Sequence, residues 1–336
     1  MGENLVFTFE GISKGPENPV LAVNACPLAE ASLSFGPVSA VTYEKRSGYA
    51  AVIKRGTLLS KDQGAKEAIS KWLEALGLYD LRSLTLVLGS YTSPEETLSL
   101  SEFLFDWLGE GFPVYSIFVL PPASSDAFTV HESAESLLRA YASSELVFPV
   151  DPARLDWLAG NVLARGKKLT TDDLLCALSS YVRVAASKYR SRWERPELGK
   201  FLAPSLLMNS VKELYGEPSN PFKLEDYFSL ARLGPGDREA VRSVVCFTGN
   251  AEWEEADLSS GMVSAMKPSY PSSAQFTLFR DPSFPTDLAV FKRLGALSAN
   301  YCYLVEEHQR YERLTGQKAS GEGEKLRDLI GGCDGL

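Results

Sequence analysis

Histidine is nearly missing from this chain: His131 and His308 are the two in 336 residues. So few imidazoles leave little for a histidine-based zinc cluster or a His-dependent triad. His131, with Glu132 and Ser133 beside it, has neighbours that suit acid–base chemistry, but a lone surface histidine in a loop is the expectation. Cysteine is sparse and odd in number: Cys26, Cys176, Cys246, Cys302 and Cys333, with no CxxC. Four of them sit in apolar or helical contexts, where reduced buried thiols are expected. Basic residues are in deficit, 34 against 43 acidic, for a formal charge of −9. That balance disfavours nucleic acid and anionic membrane as partners, since both demand basic surface. No apolar run approaches the ~20 residues of a membrane span. No secretory signal is visible, and "MGENLV" lacks the Ser or Thr of a myristoylation signal. The expectation is a cytoplasmic protein without direct membrane insertion.

What is present is a real core. Hydrophobic residues make up 45% and charged residues 23%, ordinary for a globular protein, and the length suits two domains. Up to about residue 165, strands alternate with helices. Strands are predicted at 4–9, 19–24, 48–53, 84–89, 114–120 and 145–150, several of them continuous apolar runs of the kind buried on both faces of a parallel sheet. Helices are predicted at 62–76, 94–108 and 132–143. Strands separated by helices imply a doubly wound, mostly parallel α/β sheet.

The stretch "LTLVLGSYTSPEETLSLSEFLFDWL" (84–108) reads as a buried strand, a tight polar turn and a helix. In α/β proteins that junction is where phosphates bind. A long helix follows at 170–193, with Thr170 or Thr171 able to cap it and Asp172 and Asp173 favourable in its first turn. Beyond it, Gly/Pro/Ser-rich turns separate strands at 241–249 and 274–281, and a late helix is predicted over about 286–314. The division is therefore 1–168 as an α/β domain, 169–193 as a connecting helix, 194–318 as a smaller α+β domain, and 319–336 as a flexible tail in which "LRDLI" can form a short helix. Tyr301, Arg310, Tyr311 and Arg313 on the late helix form either a partner surface or a mixed solvated face with a core stripe.

Several segments, in order, resemble the tubulin/FtsZ superfamily. "AVNA" (22–25) is similar to the family's second strand ending in Asn. "RGTLLSKDQGAKEA" (55–68) resembles the loop and helix before the main glycine loop. "VHESAESLLRAYASSELVFPVDPARL" (130–155) resembles the stretch that ends in "VDNEA". "AASKYRSRWERPELGKFLAP" (185–204) resembles the end of the core helix and the loop reading "NxDLxxF". "RLGALSANYCYLVEEHQRYERLTG" (293–316) resembles the late helix of the second domain. The resemblance implies a tubulin/FtsZ-like fold: a nucleotide-binding α/β domain, a long core helix, then a smaller domain.

Departures concentrate on nucleotide chemistry. Only Glu10 to Asn18 separate the first two predicted strands, too short for a helical crossover of ~10–12 residues. The family's GGGTGSG corresponds to "GSYTSPE", so the degenerate nucleotide-binding positions are Gly89, Ser90, Thr92, Ser93 and, at the long helix, Asp173. Tyr91 and Pro94 obstruct the close backbone approach that glycines permit, and Glu95 and Glu96 would repel phosphate. Pro152 replaces the Asn of "VDNEA". Aligning "PELGKF" puts Glu197 on the first family acid and Lys200 on the catalytic one. A slipped alignment puts Glu194 and Glu197 on both acids, while solvated glutamates at a helix start need no catalytic reason.

The resemblance therefore implies a non-canonical tubulin/FtsZ-like protein, without GTP binding or hydrolysis and without cofactor, that acts by association with itself or with a family relative as a cytoskeletal or division-related scaffold or modulator. Interface candidates are Glu95 and Glu96 on one face, and Arg192, Arg195, Glu197 and Lys200 on the other. Two alternatives stand beside it. One is an unusual polymerising GTPase that uses GTP/GDP with Mg²⁺. The other is an unrelated doubly wound enzyme with Ser90, Thr92 and Asp126 in its pocket.

Overall fold

The computed structural model describes residues 20–23, 31–36, 42–46, 48–54, 59, 61–75, 81–89, 94–109, 111–155, 170–208, 240–249, 253–285, 287–316 and 321–333. The strands are β1 (Val20–Val23), β2 (Ala31–Gly36), β3 (Thr42–Arg46), β4 (Gly48–Lys54), β5 (Leu84–Leu88), β6 (Val114–Val119), β7 (Leu146–Val150), β8 (Phe201–Met208), β9 (Val241–Thr248), β10 (Gln275–Arg280) and β11 (Leu288–Leu294). They form one 11-stranded sheet in the order β10-β9-β11-β8-β7-β6-β5-β1-β2-β4-β3. The seven strands from β4 through β8 in that order are mutually parallel. β3 closes one edge antiparallel to β4. At the other side β11 runs antiparallel between β8 and β9, and β10 pairs parallel to β9. The expected mostly parallel α/β sheet is thus formed, and it continues through the region read as a second domain because β8 extends the parallel register from β7.

The helices are α1 (Gln63–Ala75), α2 (Pro94–Leu108), α3 (Ala127–Ser143), α4 (Thr171–Lys188), α5 (Arg190–Trp193), α6 (Glu255–Met266), α7 (Cys302–Thr315) and α8 (Glu322–Leu329). Their starts follow local chemistry. Pro94 opens α2, where its missing N–H costs nothing. Asp126 caps α3 by accepting from the Thr129 N–H at 3.0 Å. Thr170 and Asp173 form a reciprocal capping box on α4.

The sheet is covered on both faces, which explains its uniformly apolar central strands. All five residues of β5 are buried. Leu86 and Leu88 point into one core with Phe103 of α2, Leu137 of α3 and Leu304 of α7. Val87 points to the other core with Tyr115, Phe148 and the α4 residues Leu174, Leu178, Tyr181 and Val182. That second core also takes Phe247, Phe284 and Phe291, whose rings stand 5.1, 5.6 and 5.5 Å from Tyr181. Helix α4 therefore packs across strands from both halves of the sheet.

Several expectations need correction. The long helix does not run unbroken to 193, because Tyr189 leaves helical geometry at φ −130° and separates α4 from the single turn α5. The late helix begins at Cys302, and 288–294 is instead strand β11, buried throughout. Its Lys292 and Arg293 interrupt the apolar run and disguise the strand. β8 went unread because it contains Pro204, which the sheet tolerates where the β8–β11 register shifts opposite Val290 and Phe291. The hydrophobic pattern also gave no warning of β2, β3 or α6. The predicted strand at 4–9 and the short 10–18 connection lie outside the described residues.

The tail is packed down over 321–333. Leu326 of α8 is buried, Ile330 is buried, and Leu297 pairs with Ile330 in an isolated bridge. Cys302 and Cys333 are disulfide-bonded, with Cα atoms 5.7 Å apart, so the reading of these two as reduced thiols is overturned. Their 31-residue separation carries no pairing signal. Only the return of α8 along α7 brings them within bonding range. Cys246 is the buried, unbridged thiol that the sequence suggests. Among the described residues, no helix is long and apolar enough to cross a membrane.

Replacing both Cys302 and Cys333 by serine should lower the denaturant midpoint, by the equivalent of about 3–4 kcal/mol for a loop of this length in the chain-entropy account. Parent and variant urea melts without reductant check it, and coincident curves would contradict it.

Candidate functional site

In a parallel sheet, the turns that follow strands and the loops that precede them lie at opposite edges. Gly89, Leu120 and Asp151 follow β5, β6 and β7. Lys200 directly precedes β8, as Glu145 precedes β7. Gly89, which leads into the turn expected to bind phosphate, and Lys200, which ends the loop expected to carry the catalytic acid, are thus at opposite poles of one sheet.

At the strand C-terminal pole, Gly89 is buried at the end of β5, while Ser90, Tyr91, Thr92 and Ser93 lie outside the described residues, as do the side chains of Pro94 and Glu95. Glu96 is 3% exposed. Contrary to expectation it belongs to the interior side of the first turn of α2, where a carboxylate suits the positive helix end, and it cannot serve as an interface residue. Ser99, one turn on, accepts the Leu59 N–H at 2.5 Å.

Asp126 and Asp173 are both employed locally. The Asp126 carboxylate takes the Thr129 N–H and, at 2.8 Å, its hydroxyl, and these bonds hold it below the usual carboxylate range. Asp173 accepts from the Thr170 N–H at 3.0 Å and its hydroxyl at 2.7 Å, so the capping box accounts for it without a guanine edge. Pro152 stands in a 3₁₀ turn, 152–154, capped by Asp151 through the Ala153 N–H at 2.9 Å. From the neighbouring side, Tyr303 donates to the Pro121 carbonyl at 2.6 Å, and the Arg154 guanidinium lies 5.3 Å above the Tyr301 ring.

The loop 189–200 is built as a joint. Trp193 is 2% exposed and contacts Tyr115, Phe148, Phe247 and Phe279 at ring separations of 6.2, 5.7, 5.8 and 6.3 Å. Its carbonyl accepts from Arg293 at 2.9 Å, and the Gly199 carbonyl accepts from the same guanidinium at 2.8 Å. Burial pulls Arg293 down to about 10, still charged at neutral pH, with two carbonyls to stabilise the charge. Gly199 has φ +89°, and a Cβ there would lie 2.2 Å from the Leu294 carbonyl oxygen.

The two glutamates proposed as catalytic acids divide. Glu194 accepts from the Tyr115 hydroxyl at 2.5 Å and from Arg190 at 2.9 Å. Burial, and then this bond to Glu194, push the Tyr115 hydroxyl far above its ordinary value. Glu197 is exposed and pairs with Arg195 at 2.9 Å, and its carboxyl is held low chiefly by its own backbone N–H, with Arg195 adding to the effect. Lys200 is not the open interface cation expected of it. Its ammonium donates to the Tyr141 carbonyl at 3.2 Å and the Ser144 carbonyl at 3.0 Å, and so satisfies the last turn of α3. Arg192 donates to the Leu278 carbonyl at 3.1 Å and covers the Phe279 ring, and Arg195 also reaches Gln275 at 3.1 Å. A cavity of about 240 Å³ opens beside Lys200, lined by Leu86, Leu104, Phe105, Phe112 and Val114. It belongs to the strand N-terminal pole, away from the turn after β5.

The sequence did not foretell where the two histidines would meet. His131 is buried within α3, not exposed in a loop, and its Nδ1 lies 2.9 Å from Nδ1 of His308 on α7. Helical spacing does place His131 and His308 on faces of their helices; nothing local says that the faces meet.

Two substitutions separate a structural from a catalytic loop. Lys200→Met should leave the Tyr141 and Ser144 carbonyls without their donor and reduce stability by about 1–3 kcal/mol. Gly199→Ala should cost more, because the added methyl meets backbone and the residue keeps a left-handed φ. Urea melts of both should show midpoints below the parent's, with Gly199→Ala the lower; a parent-like Gly199→Ala would refute the joint.

No protein-family model and no curated protein matches this chain, so the geometry of the two poles and the order of the elements carry the functional reading.

Proposed function

We propose that this chain is a tubulin/FtsZ-like protein that acts by head-to-tail association with a second copy, or with a family relative, in a scaffold or modulator role, and not by turning over GTP. The observation that carries this reading is the placement of Lys200, the last residue of the post-helix loop, and Gly89, at the end of β5, at opposite poles of one sheet. A contact between unlike poles is heterologous, and it repeats into a ring or an open filament according to the rotation it imposes. The element order supports the family part of the reading: parallel α/β half, long helix packed across both halves, then a mixed half.

The loop's residues support the non-enzymatic part. The position aligned with the catalytic acid is Lys200, tied to α3, and Glu194 is tied to Tyr115 and Arg190. A loop already held in place loses little freedom on docking. The charge argument shifts from Glu95 and Glu96 to groups exposed at the poles. Asp126 follows β6 at the C-terminal pole, Asp172 is exposed in the first turn of α4, and Arg195 reaches Gln275 at the start of β10. Opposite charges on mating faces favour encounter and register.

Arg195→Glu should weaken association several-fold at low salt, and Asp172→Lys in the same chain should recover part of it, since the swap restores opposite charges. Both effects should fade at high salt, where charges more than about 8–10 Å apart are screened. Sedimentation at two salt concentrations measures this, and an Arg195→Glu chain that associates like the parent at low salt would remove the pole-to-pole contact. Calorimetry with GTP and Mg²⁺ tests the other half. Two or more lost charge-assisted bonds, each about 1.5–3 kcal/mol, should put binding outside the micromolar range, and micromolar affinity would favour the polymerising GTPase instead.

A further inference from the structure

Both histidines of the chain meet in one place, from two helices, and each brings a glutamate one turn along. His131 and Glu135 are four apart on α3, with Nε2 to Oε1 at 3.5 Å. His308 and Glu312 are four apart on α7, at 3.6 Å. The imidazoles face each other through their Nδ1 atoms at 2.9 Å, rings inclined by 26°. The result is a row, Glu135–His131–His308–Glu312, across the α3–α7 contact. His308 is 0% and His131 6% exposed, and Tyr311 stacks on His131 with centroids 4.3 Å apart.

This row is short of positive charge. It has three polar contacts, but two neutral imidazoles bring one N–H each. With both imidazoles neutral and both glutamates ionised, one contact sets lone pair against lone pair. The surroundings sharpen the deficit. Glu322 of α8 and Glu132 of α3 also lie near Glu135. Arg139 supplies a cation, bound to Glu322 at 2.7 Å, among the carboxylates of Glu132, Glu135, Glu312 and Glu322.

We infer that His131, His308 and Glu135 form a binding site for one divalent transition-metal ion of borderline softness, of the zinc, cobalt or nickel class. Ligand atoms from the three lie within 4.8 Å of one another. Two imidazole nitrogens and a carboxylate oxygen suit this class and not magnesium or calcium, which prefer all-oxygen shells. A tetrahedral ion with bonds of about 2.0–2.1 Å needs ligand atoms roughly 3.3–3.4 Å apart, so the imidazoles separate slightly from 2.9 Å and the Glu135 carboxylate turns from Nε2 of His131 toward its Nδ1. His308 ligates through Nδ1, and Glu312 at its Nε2 is the carboxylate that orients such a ligand. The Glu135 side chain, 18% exposed, gives the ion its entry from solvent. The bound ion clamps α3 to α7, a helix whose first residue is already fastened to Cys333.

The test uses the full chain dialysed against chelator, then titrated with Co²⁺ and Zn²⁺. One equivalent of Co²⁺ should bind at micromolar concentration or tighter, with visible absorption of a low-coordinate nitrogen/oxygen site and no thiolate-to-cobalt band near 300–350 nm (approximate). Zn²⁺ should displace it and raise Tm by several degrees, since an ion that binds only the folded state stabilises it, whereas Mg²⁺ and Ca²⁺ should do neither. Glu135→Gln and His131→Gln should each weaken Co²⁺ binding at least ten-fold while remaining folded by circular dichroism. If His131→Gln does not fold, Glu135→Gln alone decides. Parent-like binding in a folded variant, a thiolate band pointing to Cys176, or no stoichiometric binding would each overturn the site.

Discussion

The burial of Trp193 is the constraint on which the architecture depends. Its indole fills the space between Tyr115 and Phe148 of the parallel half and Phe247 and Phe279 of the mixed half. Its own carbonyl and that of Gly199 are gripped by one guanidinium, that of Arg293 from β11. An apolar anchor of this size is worth about 3–5 kcal/mol when truncated to alanine. The buried charge adds specificity, because removing either partner leaves carbonyls or a cation unsatisfied. Together they fix where helix α4 ends and how β8 enters the sheet, and so they make one sheet of two sets of strands.

That joint also settles what the loop residues do. In sequence, Glu194, Glu197 and Lys200 are charged residues at a helix end, open to catalytic or interfacial roles. In space, Glu194 and Lys200 each hold a neighbouring element: Tyr115 on β6 and the C-terminal turn of α3. Glu197 is left at the surface with Arg195. A rigid loop at one pole and a helix-opening turn at the other give the molecule a direction. The fold imposes that polarity, since parallel strands place their beginnings and ends at opposite edges.

The contact between α3 and α7 carries a different chemistry. Residues 177 positions apart form the imidazole pair, and their glutamates come from ordinary helical spacing. The α8 return adds Glu322 and the Cys302–Cys333 bridge to the same side of the molecule. A cation there would stabilise an assembly of helices that lies on the opposite face of the sheet from α4.

The sequence by itself determined the elements whose signal is local. β5, β6 and β7 are continuous apolar runs because both faces of a parallel sheet are covered, and α2 and α4 announce themselves by Pro94 and by the Thr170–Asp173 box. It also determined the deficit of positive charge and the absence of a glycine-rich turn after β5. Tertiary structure decided whatever depended on distant partners. β11 hid behind Lys292 and Arg293, and the burial of Arg293 is tolerable once Trp193 and Gly199 offer carbonyls to its guanidinium. β8 hid behind Pro204, which needs the bulge opposite β11. Glu96 became interior, Lys200 became a cap, and the two histidines became neighbours for the same reason. Charge, exposure and pairing are properties of the assembled sheet and its helices, and no local spacing encodes them.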